Sequence, residues 1–135
     1  MNEQMIGNYR LVRELGSGGM GTVYEAVDMM LERRVAVKML RPEIAGNPDL
    51  IERFRAEAVT LAKLNHPSIA TLFAFLREGE RFAMVMEFVP GRTLEGLLAS
   101  TGRLQPALAA GILCQMLDGM AHAHAMGVLH RDIKP

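Results

Sequence analysis

The chain has 135 residues, half of them hydrophobic and 22% charged, a composition that builds a core and excludes a disordered polymer. Fifteen basic residues balance fifteen acidic ones, so no excess charge points to nucleic acid or to an anionic membrane surface. The single cysteine, Cys114, excludes an internal disulfide framework and suits a reducing compartment.

The opening residues, MNEQMIGNYR, lack a basic-then-apolar leader, and no apolar run is long enough to span a bilayer. The chain is therefore expected to be cytoplasmic, with no membrane or nucleic-acid partner in this segment. Residues 9–15 alternate loosely and run into a glycine cluster; 22–27 and 34–40 repeat the strand pattern. Short links between these runs predict an antiparallel meander, which breakers between Pro42 and Pro48 bring to an end.

From Asp49 the period changes. Leu50, Phe54, Ala58 and Leu61 recur at helical spacing, with Asn47 placed to cap and Pro48 in the first turn. This helix should stop near Asn65-His66-Pro67, because the residue before a proline disfavours helix. Two more strands, 69–76 and 82–89, flank the polar turn 77–80, and Pro90-Gly91 reads as a hinge dividing 1–89 from 90–135. Thr93 caps a short helix to about residue 100; Pro106 opens a longer one, 107–126, closed by Gly127, where a left-handed cap is easiest. The class is α+β: a five-stranded antiparallel sheet with one inserted helix, then further helices.

Gly16-Ser17-Gly18-Gly19-Met20-Gly21 is a G-x-G-x-x-G. Dinucleotide-binding folds use the same letters to open a helix. Here the strand-like 22–27 follows at once, so the glycines form a hairpin whose backbone N–H groups can approach phosphate oxygens with no Cβ in the way. An ordinary tight turn is the plain alternative.

Lys38 ends Val35-Ala36-Val37-Lys38 on the third strand. A lysine on a solvated edge is the ordinary reading of such a residue, because burying an ammonium is costly without anions. Its place seventeen residues after Gly21, on the neighbouring strand, instead lets it reach beneath the glycine loop. Glu57, three residues after Phe54 and four before Leu61, lies beside the apolar stripe of the first helix, with Lys38 as its obvious cation. The last six residues, His130-Arg131-Asp132-Ile133-Lys134-Pro135, read as the opening of a protein-kinase catalytic loop.

In order and rough spacing, these motifs resemble those of eukaryotic-type protein kinases, from about Tyr9 to the last residue. The wording Gly-Ser-Gly-Gly-Met-Gly-Thr-Val-Tyr, Leu-Asn-His-Pro-Ser-Ile and Val-Met-Glu-Phe-Val-Pro-Gly-Arg-Thr-Leu is similar to the bacterial serine/threonine kinases of that family. The resemblance implies a kinase fold, with an ATP-binding small lobe in 1–89 and the start of the large lobe in 90–135. It also implies transfer of the ATP γ-phosphate to protein Ser or Thr hydroxyls, with ATP and a protein substrate as partners.

Residue by residue, Leu15, Gly16, Gly18 and Gly21 would cover the nucleotide, and Lys38 would contact its α- and β-phosphates while pairing with Glu57. Val23 and Ala36 would sandwich adenine from the small lobe, Met86 would be the gatekeeper, and Glu87, Phe88 and Val89 the hinge. Asp132 would be the catalytic base, Lys134 would stabilise the transferring phosphoryl group, and Leu61 and His130 would join the hydrophobic spine. Magnesium is the implied companion of ATP. Its family ligands, the catalytic-loop Asn and the Asp of Asp-Phe-Gly, are not in this sequence, so no metal-ligating residue is assigned. The 135-residue chain is therefore expected to lack kinase activity by itself.

The rival reading is a non-catalytic, kinase-like module that binds nucleotide or a partner. A dehydrogenase would need a helix straight after Gly21. His66, His122 and His124 read as structural, and the eleven methionines as core filling. Leu108, Ile112, Leu113, Met116, Leu117 and Met120 make the 107–126 helix broadly apolar, so a homodimer or a swap through it is expected.

Overall fold

A computed structural model describes residues 3–135. Its strands are β1 (Met5–Ile6), β2 (Tyr9–Ser17), β3 (Gly21–Asp28), β4 (Arg33–Leu40), β5 (Leu72–Glu78) and β6 (Arg81–Glu87). Its helices are α1 (Pro48–Ala62), α2 (Leu94–Thr101) and α3 (Pro106–Ala125). All strands pair antiparallel in one sheet, in the order β1-β2-β3-β4-β6-β5. The chain divides into two compact units. One runs up to Lys63 and resumes over Ala70–Val89; the other is Leu64–Ile69 with Pro90–Pro135.

The first unit is built by the period-2 alternation of its strands. Val35, Val37 and Met39 of β4 face one way and form a core with Ile6, Tyr9, Ala26, Ala83 and Val85. Leu40 and, on β6, Phe82 and Met84 face the other way, against Phe54 and Ala58 of α1. Phe54 is fully buried, and its ring lies 5.8 Å from that of Phe75, itself 6.4 Å from Phe82, distances at which tilted aromatic pairs attract. Ala36 and Lys38 therefore share the α1 face of the sheet, which decides where the Lys38 ammonium can go.

Helix ends follow local chemistry. The Asn47 side chain accepts from the Asp49 and Leu50 N–H groups, at 3.0 and 3.4 Å, with Pro48 in the first turn. Thr93 Oγ1 accepts from Gly96 N at 3.1 Å. At the end of α3, Val128 N donates to Ala123 O at 2.9 Å and Gly127 N to His124 O at 3.0 Å, with Gly127 at φ +76. That is a Schellman cap.

The sheet carries one strand more than the five expected from the sequence. β1 has two residues and folds onto β2 across Gly7-Asn8, with Gly7 at φ +54; it is too short to show a period. β5 starts at Leu72, not at 69, because the His-Pro link makes a turn: Ser68 N donates to His66 Nδ1 and Ile69 N to His66 O, both at 3.0 Å. The β5–β6 turn shrinks to Gly79-Glu80, with Gly79 at φ +61, a conformation that favours glycine.

In the second unit, Gly119 of α3 is buried, and a Cβ there would lie 3.2 Å from Ser68 Cβ, so the 64–69 segment packs closely on this helix. On α3, Leu108, Leu113 and Leu117 are exposed, while Ile112, Met116 and Met120 are half-buried. Among the described residues no helix is long and apolar enough to cross a membrane.

Candidate functional site

The glycine motif connects two strands. β2 and β3 pair up to Ser17 and Thr22, and Gly18 N donates to Gly21 O at 2.9 Å, closing the hairpin. No helix follows Gly21, which removes the dinucleotide-fold arrangement. Gly21 is needed by the fold itself, because a Cβ there would stand 2.5 Å from Met39 O. At Gly16 and Gly19 a Cβ would meet nothing within 4 Å. Arg41 braces the turn at both ends: its N–H donates to Met20 O at 3.0 Å, and Nη2 donates to Ser17 Oγ at 2.8 Å.

Beside this hairpin, Lys38 Nζ lies 2.9 Å from Glu57 Oε1. β4 register brings the lysine to the helix-facing side of the sheet, and the position of Glu57 next to the Phe54–Ala58 stripe turns its carboxylate inward. The side chains are 25% and 36% exposed, so solvent screens the pair and its own contribution to stability is small, under about 1 kcal/mol. Val23 is the direct cross-strand partner of Lys38, and Ala36 that of Met86. Val23, Ala36, Lys38 and Met86 thus share one face.

At the end of β6, Glu87 N donates to Thr71 O at 2.8 Å, and the Glu87 carboxylate accepts from Thr71 N at 3.1 Å. The amide of Glu87 is therefore committed to the fold. The N–H and C=O of Val89 have no hydrogen-bond partner among the described residues, and Val89 is exposed. Leu15, at the entry to the glycine turn, is also exposed.

In the second unit, Asp132 and Lys134 lie in a segment without regular structure, 74% and 76% exposed, with Lys134 Nζ 3.5 Å from Asp132 Oδ2. His130 Nδ1 accepts from Asp132 N at 3.1 Å, and Pro135 O accepts from Glu95 N at 3.4 Å. Arg131 has φ +65, a left-handed conformation uncommon outside glycine. His66 and His122 are acceptors for backbone N–H groups, His122 Nε2 taking Asn65 N at 3.2 Å, and their rings are 5.4 Å apart. Among the described residues no group of three or more His, Cys, Asp or Glu is placed to hold a metal ion.

The structure brings Lys38 beside Gly21 and pairs it with Glu57; Arg41, which the sequence reading left unassigned, also reaches the turn. The only signal for it was a basic residue directly after the third strand run, three positions past Lys38.

The protein kinase domain family matches residues 9–135. Serine/threonine-protein kinase PknA of Mycobacterium tuberculosis is 48% identical over 134 residues, covering 96% of this chain and 31% of PknA. Serine/threonine-protein kinase PrkC of Bacillus subtilis is 39% identical over 135 residues, covering 100% of this chain and 21% of PrkC. The crystal structure of Rad53 1-466 in complex with AMP-PNP is similar with a TM-score of 0.81 at 31% identity, over 95% of this chain and 33% of that one. The chain spans a third or less of the length of these relatives.

Proposed function

Because this chain belongs to the protein kinase domain family, we propose that it forms the ATP-binding face and the first part of the catalytic loop of a serine/threonine protein kinase. The observation that carries the reading is the Lys38–Glu57 pair, 2.9 Å apart, which joins β4, the strand after the glycine hairpin, to α1. Glu57 occupies one proton of the ammonium and fixes its direction, and the remaining N–H donors serve the α- and β-phosphates.

The residues present fit a nucleotide. Gly16 has open surroundings and Gly18 would meet only Gly21 O, in ordinary contact at 4.0 Å, so the fold does not need glycine at either; bare backbone lets phosphate oxygens approach. Leu15, Val23 and Ala36 supply the apolar cover for the adenine ring, with Met86 beside it. The Glu87 C=O and the free Val89 N–H supply the edge contacts, because Glu87 N is taken by Thr71. ATP would bring the phosphoryl donor, and magnesium bound with it would neutralise phosphate charge, with no residue of this chain assigned to hold the metal. Asp132 would accept or orient the proton of a protein Ser or Thr hydroxyl, and Lys134 would offer positive charge to the phosphoryl group in transfer.

The experiment is a calorimetric titration of ATP into the wild-type chain and into Lys38→Met. Loss of a charge-assisted contact should weaken ATP binding about ten- to a hundredfold. Equal affinity in the two proteins would contradict the reading.

A further inference from the structure

Glu25 is buried in β3, where an isolated carboxylate would be costly. Two guanidinium groups meet it. Arg13 Nε donates to Oε2 at 2.6 Å from the directly opposite position on β2. From β4, Arg34 Nη1 donates to Oε1 at 3.4 Å, on the same face as Ala36, the direct partner of Glu25 on that side. Arg34 has a second contact: its guanidinium carbon lies 4.5 Å over the centre of the Phe88 ring.

Phe88 follows the last residue of β6 and stands between Glu87 and Val89. Its ring contact with Arg34 is a side-chain tie between β4 and the residues that follow β6. A guanidinium suits the task, since it presents its edge to a carboxylate and its face to a ring at the same time. A lysine ammonium can serve either partner well, but not both in that geometry.

We propose that Arg34, anchored on Glu25, is a positioning residue that clamps Phe88 and thereby fixes the backbone of residues 87–89 for the adenine edge. The inference rests on the adenine-binding reading of that backbone and deepens it: part of the affinity for the base is set by a charge network centred on the buried Glu25 carboxylate. Its effect falls on the base and not on the phosphates.

The test combines amide hydrogen exchange at Glu87 with titrations of adenosine and of inorganic tripolyphosphate, all on the 135-residue chain. Arg34→Ala and Phe88→Leu should each speed Glu87 exchange and weaken adenosine binding by about two- to fivefold, the scale of an exposed cation–π contact. The double variant should add nothing to either single one, and tripolyphosphate binding should not change. Arg34→Lys should recover only part of the loss. Additive single effects, or unchanged Glu87 exchange with a lowered melting temperature, would overturn the clamp and leave Arg34 as a counter-ion of Glu25. Absence of adenosine binding by the wild type would remove the adenine reading alone, and the exchange cycle would still decide the clamp.

Discussion

Two lysine–carboxylate pairs stand at the positions proposed for nucleotide binding and for the catalytic loop, and they are held in different ways. Lys38 and Glu57 project from a central strand and from the middle of a fifteen-residue helix, 2.9 Å apart and about one-third exposed. Lys134 and Asp132 are 3.5 Å apart in an irregular segment, each about three-quarters exposed, held locally by His130 Nδ1 and by the bond from Glu95 N to Pro135 O. The first pair inherits its geometry from a hydrophobic core. The second has only neighbouring side chains and single hydrogen bonds to position it. The same pairing of ammonium and carboxylate can therefore be part of the fold in one place and a solvated contact in another, and only the supporting shell tells them apart.

That contrast breaks most easily at the core. Phe54→Ala removes the ring that seats α1 on the sheet and should lower stability by about 3–5 kcal/mol, read from denaturant unfolding. Lys38 and Glu57 would separate with it. A fully folded variant with unchanged midpoint would mean that the pair is held by something other than the core.

Next in size is the glycine turn. Gly21→Ala puts a Cβ 2.5 Å from a β4 carbonyl and should cost about 1–3 kcal/mol of stability. Gly16→Ala meets nothing and should stay within about 0.5 kcal/mol, with its effect confined to nucleotide affinity. Equal melting temperatures for the two variants would erase the distinction between the fold's glycine and the ligand's.

The exposed pair should be nearly silent in stability: Asp132→Asn is expected to shift unfolding by less than about 0.5 kcal/mol. A larger shift would show that the segment is braced more firmly than its contacts indicate.

The smallest effect is a pH dependence within the first core. Burial first, then the Asp28 carboxylate, raise the Tyr9 phenol above its ordinary value, against the opposing pull of Arg33. The folded chain holds that proton more tightly than the unfolded one, so stability is intact below about pH 10 and falls as pH rises further. Tyr9→Phe should flatten that part of the alkaline decline, measured as melting temperature against pH.

Much of this was legible in the sequence because it is local. Asn47, Thr93 and Gly127 announce helix ends through bonds to residues two to four positions away. The inward turn of Glu57 follows from its spacing to Phe54 and Leu61, and the hairpin from the strand pattern after Gly21. What was hidden depends on register or on distant contacts. β1 is too short to carry a period. The grouping of 64–69 with the second unit needs the close fit of Gly119 against Ser68. The Arg13–Glu25–Arg34–Phe88 chain needs the pairing of three strands, and Arg41–Ser17 needs the folded hairpin.

One calorimetric series tests the central claim most directly: ATP titrated into Lys38→Met and Lys134→Met side by side with the wild type. The supported pair should govern nucleotide affinity, so Lys38→Met should weaken binding about ten- to a hundredfold, while Lys134→Met stays within about twofold. Equal losses in both variants, or a loss confined to Lys134→Met, would contradict the account.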